Sequence, residues 1–239
     1  MALGVILALG SMAVPARAEC PPDALGTSRT LLLSREHARY GAQGTRRLPL
    51  AANEVVLTFD DGPRAETTPQ VLQALAAHCV LATFMTVGRN LEEAPDLARR
   101  AATQGHSLGI HSYGHDHLPG LSAADQIADL ERARRAYSAI FRSAPPAYRF
   151  PYLEETPPTL RALRENGTTV LSVDLGIDDW QPDDTTQKLS QRLAERLKTF
   201  RGGIILMHDA NGPTARAMPA LLRTIREGGF KVVHLRWAD

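Results

Sequence analysis

At 239 residues the chain is long enough for one sizeable core, and 44% apolar against 22% charged residues is an ordinary globular balance. A formal net charge of +1 argues against a strongly electrostatic partner such as nucleic acid, and 5% aromatic content argues against a long stacking platform. No internal repeat, low-complexity run or second-domain linker is visible.

Residues 1–18 read as a signal peptide. The first fourteen are apolar and small, and Ala16-Arg17-Ala18 is an A-x-A cleavage pattern. No Lys or Arg precedes Arg17, which is atypical. Pro15 and Arg17 interrupt the apolar run before the ~20 residues that a span needs. A lipid-anchored reading would use Cys20, but Glu19 stands where a small residue is needed. The expectation is an exported chain, periplasmic or extracellular, beginning near Glu19, with no stable membrane insertion. Two cysteines remain, Cys20 and Cys79. Either they pair, tying the mature N-terminus to the end of a helix, or Cys79 is a buried free thiol; an oxidising compartment favours the pairing.

Residues 19–54 show little periodicity and are expected to form an N-terminal extension with one short apolar piece at 30–33. From Val55 the pattern becomes regular, and residues 55–239 read as one domain. A buried strand at 55–59 leads into Asp60 and Asp61, then Gly62 and Pro63 end it. A helix follows near 68–78, with Pro69 in its first turn and Val71, Leu72 and Leu75 on one face. Residues 80–87 are the next strand, and 95–104 a helix closed by Gly105. Residues 107–111 form a short strand. Ser122-x-x-Asp125 starts a long helix in the manner of a capping box, with Ile127, Leu130, Ala133, Tyr137, Ile140 and Phe141 on its face. Strand 147–150 follows Pro145-Pro146. Thr156-Pro157 opens a helix that Gly167 closes, and 169–174 is strand. Leu189, Leu193, Leu197 and Phe200 mark a helix face, 203–208 a strongly apolar strand, Leu221, Leu222 and Ile225 the last helix, and 230–235 the last strand.

Strands alternating with helices give parallel βαβ units, hence an α/β fold. An open doubly wound sheet and a barrel both fit the alternation. The polar residues at strand ends decide: Asp60 and Asp61, His111, Arg149, Asp174 and His208 would be strung along an open edge but meet at the mouth of a barrel. The expectation is a distorted (β/α) barrel, complete or not, of about seven strands.

Two adjacent carboxylates at a strand end repel each other, and a cation, a basic partner or a shared proton would offset the repulsion. Asp-Asp-Gly-Pro is equally good chemistry for a surface turn. His111-Ser112-Tyr113-Gly114-His115 sets two imidazoles four residues apart, a spacing that suits one metal ion. His106 and His117 make the same segment simply His-rich, so a surface role fits it too. An aspartate from another strand end would complete a two-His, one-carboxylate set with open positions, which is the catalytic rather than the structural pattern.

Five ordered motifs carry a resemblance to a known family. Thr58-Phe59-Asp60-Asp61-Gly62, His111-Ser112-x-x-His115, Arg149-x-Pro151-Tyr152, Asp179-Trp180 and Leu206-x-His208-Asp209 follow one another across nearly all of the region from Val55 to Leu235. In these the chain resembles the NodB-type polysaccharide deacetylases, carbohydrate esterase family 4. In the fourth motif Gly176 stands where the family has a first Asp, and Asp174 or Asp178 is left to take that part.

The resemblance implies a distorted (β/α) barrel and the removal of N-acetyl, occasionally O-acetyl, groups from polysaccharides. It implies Asp61, His111 and His115 as ligands of a divalent metal, zinc first, with cobalt, nickel or manganese also suited. Asp60 would activate water, Arg149 would hold Asp60, His208 would protonate the leaving amine, and Asp179 would tune His208. Trp180 and Leu206 would wall an acetyl pocket, and the backbone N–H of Tyr152 would help bind an oxyanion. The chemistry is coherent: an amide is a poor electrophile and an amine a poor leaving group unless protonated, so a metal, a base and an acid are all wanted. The expected partner is an acetylated glycan containing N-acetylglucosamine, with chitin oligomers, peptidoglycan and secreted polysaccharide all open. An O-acetyl esterase on xylan or a similar polymer is the second enzyme reading. A non-catalytic glycan-binding protein is the third, disfavoured because Asp60 and His208 are both present.

Overall fold

The run Glu-Val-Val-Leu-Thr-Phe-Asp has no polar face because it is covered on both sides, as strands of parallel sheets are; all seven of its residues are buried. The computed structural model describes residues 20–181 and 183–238, so the expected signal peptide lies outside the described residues. In chain order the elements are β1 (Thr27–Leu33), β2 (Arg39–Tyr40), β3 (Glu54–Asp60), α1 (Thr68–Ala77), β4 (Thr83–Thr86), α2 (Gly88–Glu93) and α3 (Pro95–Thr103). There follow β5 (Ser107–Ile110), α4 (Ala123–Phe141), β6 (Ala147–Tyr148), α5 (Pro157–Glu165), β7 (Thr169–Leu171) and β8 (Leu175–Gly176). The chain closes with α6 (Thr186–Phe200), β9 (Gly203–His208), α7 (Gly212–Glu227) and β10 (Lys231–Trp237). The helix signals read from sequence act as expected: Ser122 caps α4 by accepting from the Asp125 N–H, and Pro69 and Pro157 sit in the first turns of α1 and α5.

Every ladder is parallel. Around the molecule the order β6, β5, β4, β3, β9, β8 is continuous. No ladder joins β7 to β8, but the two are successive parts of one segment, 169–176. Its first half pairs with β6, its second half with β9, and the Asp174 N–H donates to the Ile204 carbonyl between them. The ring is thus completed by the chain itself. The result is a distorted α/β barrel of the expected kind.

Alternation divides β3 between two apolar clusters. Val55, Leu57 and Phe59 pack outward with Leu72 and Leu75 of α1 and Leu221 and Leu222 of α7. Val56 points inward with Met85, Leu171, Ile204 and Leu206. Thr58 and Asp60 share the inward face with Val56, because residues two apart on a strand share a face. The barrel interior is therefore apolar low down and polar at the C-terminal mouth.

Three details depart from the sequence reading. The last strand is not a stave of the barrel. β10 pairs with the start of β3, takes a hydrogen bond from Ser107 Oγ at the start of β5, and donates from Trp237 Nε1 to Thr169 Oγ1 at the start of β7. It crosses beneath the barrel, and Val233, Leu235 and Trp237 fill the interior from below. The N-terminal segment is built into the sheet: β1 lies along β10 and β2 along β7. Phe200, expected on the buried face of α6, is 45% exposed, while Leu189, Leu193 and Leu197 are buried. Cys20 and Cys79 form a disulfide with Cα atoms 5.9 Å apart, joining the start of the described chain to the end of α1.

Candidate active site

Parallel register brings the polar residues together. On the β3–β9 ladder Asp60 stands directly opposite His208. His111 follows the last residue of β5 and Arg149 the last of β6, and the Arg149 N–H is tied to the Ile110 carbonyl at 3.0 Å. These strand ends open into a cavity of about 470 Å³ lined by Asp60, Asp61, His111, His115, Phe150, Tyr152, Leu153, Trp180, Leu206, His208 and Asn211. Nine of the ten residues singled out from the sequence line this cavity or, in the case of Asp179, contact a lining residue; the tenth, Arg149, lies beneath it.

Arg149 is 0% exposed. Its guanidinium donates to Asp60 Oδ1 at 2.5 Å, Thr58 Oγ1 at 2.9 Å, the Leu171 carbonyl at 2.8 Å and the Ser172 carbonyl at 3.3 Å. The planar fork uses several directions at once, which a lysine would not reproduce. Asp60 is itself buried. Burial pushes its carboxyl pKa up, and the charges of Arg149 and His208 pull against that rise.

Asp61 turns away from the strand with φ 75°, and Asn90 Nδ2 donates to its carbonyl at 2.6 Å. Its carboxylate meets two imidazoles: Oδ1 lies 3.3 Å from His115 Nε2 and 3.6 Å from His111 Nε2. His111 Nδ1 sits 2.8 Å from the Arg149 carbonyl. A carbonyl can only accept, so Nδ1 carries the proton and Nε2 presents a lone pair. Burial, with help from His115 and against the pull of Asp61 and of the hydrogen bond to the Arg149 carbonyl, lowers the His111 pKa to about 3, so the ring is neutral.

The loop between the two imidazoles is fastened at several points. Ser112 Oγ accepts the His115 N–H at 2.9 Å. From α4, Asp129 accepts the N–H groups of Tyr113 and Gly114 at 2.9–3.1 Å. Asp61, His111 and His115 offer one ligand atom each, all within 4.8 Å of one another. Asp61 Oδ1 is buried and has no hydrogen-bond partner. A buried carboxylate oxygen left unpaired between two imidazole rings is costly without a cation, so these three residues fit a metal ion with open positions.

The opposite wall carries the second imidazole system. His208 Nδ1 donates to Asp179 Oδ1 at 2.7 Å, and the His208 backbone N–H donates to Asp179 Oδ2 at 2.9 Å. Burial works against a charged His208, but the hydrogen bond and charge of Asp179, with Asp60 and Asp61 behind them, outweigh it and raise the pKa to about 9. The Trp180 ring stands edge-on to His208 with centroids 5.7 Å apart, and Leu206 lies two residues before His208 on the same strand face. Trp180 and Tyr152 are 54% and 58% exposed at the rim. Tyr152 and Leu153 both have left-handed backbones, φ 56° and 60°, a strained turn of the kind found at ligand clamps. The Tyr152 ring lies between those of His115 and His117, and His117 Nε2 meets Glu154 Oε2 at 2.6 Å.

Neither alternative for the fourth motif's first acid reaches the site. Asp174 pairs with Arg47 and accepts the Ile204 N–H, and Asp178 pairs with Arg196. Gly176 is a strand residue paired with Leu206. Residues that the sequence reading missed include Asp129, Asn211 and Thr214, none of which has a local signal in the sequence; Thr58 was quoted only as part of the first motif. Asp209, quoted only as part of the fifth motif, is buried against Gly62, where an added Cβ would meet its carboxylate at 2.1 Å. Thr68 Oγ1 donates to it at 2.5 Å. Burial, with Asp61 and Asp60 nearby, raises its pKa to about 7.

The family model described as polysaccharide deacetylase matches residues 48–171, more than half of the chain. The chain belongs to the polysaccharide deacetylase family. A peptidoglycan-N-acetylglucosamine deacetylase of Bacillus cereus is 30% identical over 69% of this chain and 58% of its own length. A chitin deacetylase of Colletotrichum lindemuthianum is 31% identical over 75% of this chain and 76% of its own. Among solved structures, a peptidoglycan deacetylase of Bdellovibrio bacteriovorus superposes with a TM-score of 0.81 at 27% identity, over 91% of this chain and 61% of that one. The chain therefore spans about three fifths of the length of two of these three proteins. In this member of the family the candidate site lies at the C-terminal mouth of the barrel, with the ends of β3, β5, β6 and β9 supplying most of its residues.

Proposed function

We propose that the chain is a metal-dependent hydrolase that removes N-acetyl groups from a polysaccharide or oligosaccharide containing N-acetylglucosamine. One observation carries the reading: Asp60, held by Arg149, and His208, held by Asp179, flank a cavity whose floor is the Asp61, His111, His115 set. A divalent ion held by those three residues would polarise the acetyl carbonyl and make the attacking water more acidic. Asp60 takes the proton of that water. Burial makes it a stronger base than an exposed aspartate, and Arg149 keeps it ionised and aimed. His208, protonated at neutral pH, lies opposite and gives its proton to the departing amine. The Tyr152 N–H helps to hold the oxyanion, and Trp180 with Leu206 encloses the acetyl methyl group. The names of the B. cereus and C. lindemuthianum relatives support a substrate of this class. Residues 1–18 act as an export signal, and the Cys20–Cys79 disulfide suits the oxidising compartment to which they would send the chain.

The test is acetate release from chitin oligomers, peptidoglycan and acetylated xylan by the metal-loaded protein. Release from one of the first two, abolished by Asp60→Asn, is the expected result. Release from xylan alone would transfer the assignment to an O-acetyl esterase, and release from none would leave a glycan-binding protein.

A further inference from the structure

Asp179 has one more partner than the mechanism uses. Its Oδ1 is engaged by His208 Nδ1, and its Oδ2 accepts both the His208 N–H at 2.9 Å and the Thr214 hydroxyl at 2.5 Å. Thr214 lies in the first turn of α7 and is fully buried. From the residue before that helix, Asn211 Nδ2 donates to the Asp179 carbonyl at 3.3 Å. We propose that Thr214 is a positioning residue for the general acid, holding the Asp179 carboxylate in the one orientation that presents Oδ1 to His208. The proposal rests on His208 being that acid.

The direction of the bond supports the assignment. An ionised carboxylate accepts only, so the Thr214 proton must lie towards Asp179. The bland alternative is that Thr214 stabilises the start of α7, but its hydroxyl is aimed at the Asp179 carboxylate rather than at the helix backbone. Without it, Oδ2 would keep one donor in a site closed to water, and the carboxylate could rotate about its last bond. An imidazolium held by a rotating partner spends less time aimed at the leaving nitrogen, and modest misplacement of a catalytic group costs rate steeply. The loss should fall on proton delivery, not on substrate binding.

Thr214→Val keeps the shape and removes the hydroxyl; Thr214→Ser keeps the hydroxyl. The Val variant should lower kcat on an N-acetyl amide by about 10-fold or more, a fraction of the ~10²–10⁴ that a general acid contributes, with KM little changed. An activated acetyl ester, whose leaving group needs no proton, should be nearly unaffected, and the Ser variant should recover most of the amide rate. A second measurement is independent of any substrate. The His208 Nδ1 proton, followed by NMR, should exchange with water faster in Thr214→Val than in the wild type, and at the wild-type rate in Thr214→Ser. Equal exchange in all three proteins, or equal loss of amide and ester turnover with the fold intact, would overturn the proposal. If no acetylated glycan is turned over, the reading of function fails, and the exchange rates alone decide the role of Thr214.

Discussion

Replacing Arg149 by methionine is the sharpest perturbation the barrel offers, because the volume is roughly kept while a fully buried charge is removed. Asp60, itself buried, loses the 2.5 Å contact that offsets its charge, and the carbonyls of Leu171 and Ser172 each lose a donor. Breaking a buried ion pair from one side costs about 3–5 kcal/mol, and each of the two stranded carbonyls adds about 1 kcal/mol. A loss of about 5–7 kcal/mol follows, a large part of the ~5–15 kcal/mol that holds a domain together. The sign with pH is fixed by Asp60. Its pKa already lies above the ordinary carboxylate value and rises further without Arg149, so the folded state binds the extra proton. Stability of Arg149→Met should therefore fall as pH rises through the interval between the ordinary and the raised pKa. Urea unfolding at pH 5 and pH 8 measures this. The double variant Asp60→Asn/Arg149→Met separates charge from packing. With no buried carboxylate left, it should recover at least about 2 kcal/mol relative to Arg149→Met alone. A single variant within about 1 kcal/mol of wild type, or a double variant no more stable than it, would mean that Asp60 does not depend on Arg149.

Three further outcomes are expected. Elemental analysis should find one divalent ion per chain in the wild type and none in His111→Ala, and chelation should abolish acetate release until zinc or cobalt is restored; full turnover without metal would sink the metal assignment. His208, with a pKa of about 9, should set the alkaline limb of kcat/KM. Asp179→Asn removes the largest of the groups that raise it and leaves burial against Asp60 and Asp61, so the limb should move towards acid. The stability that His208 confers is complete below its unfolded pKa and fades as pH rises through 9, and Asp179→Asn should shrink that fade in urea titrations. Replacing Cys20 and Cys79 by serine frees a loop closed across 59 residues and should cost up to about 4 kcal/mol in the same assay.

The parallel fold was legible because its signal is local. Apolar runs such as 203–208, each followed by a helix with its own cap, need no knowledge of distant residues. The candidate site residues were legible for a related reason: Asp60, His111, Arg149 and His208 fall at or just past strand ends, and each lies inside a short motif of consecutive residues. What could not be read depends on distance. β1 carries Ser28, Arg29 and Thr30 on an exposed edge, and its partner β10 lies some two hundred residues away, so no local periodicity marks it. β10 has the composition of any buried strand, and composition does not say whether a strand is a stave or a floor. Thr214 and Asp179 are 35 residues apart, and a buried threonine in a helix turn has the appearance of a packing residue.

The pairing of β3 with β9 explains how the proposed base, Asp60, and the proposed acid, His208, come to share one small cavity. Val56, Thr58 and Asp60 share one face of β3. Ile204, Leu206 and His208 share the matching face of β9, and the register sets Val56 opposite Ile204, Thr58 opposite Leu206 and Asp60 opposite His208. A slip of one residue would turn His208 into the helical layer and bring Met207 to the mouth. Placed side by side, the two groups favour opposite protonation: the Asp60 charge helps to hold His208 protonated, and the His208 charge helps to hold Asp60 ionised. The partners behind them, Arg149 and Asp179, have the same signs of effect. At neutral pH the arrangement favours one form, base without proton and acid with it, which is the form that hydrolysis of an amide requires. The neutral pair, with the proton moved from His208 to Asp60, would leave Arg149 and Asp179 buried beside uncharged partners. In the proposed mechanism, that penalty would keep the proton on His208 until the leaving nitrogen takes it.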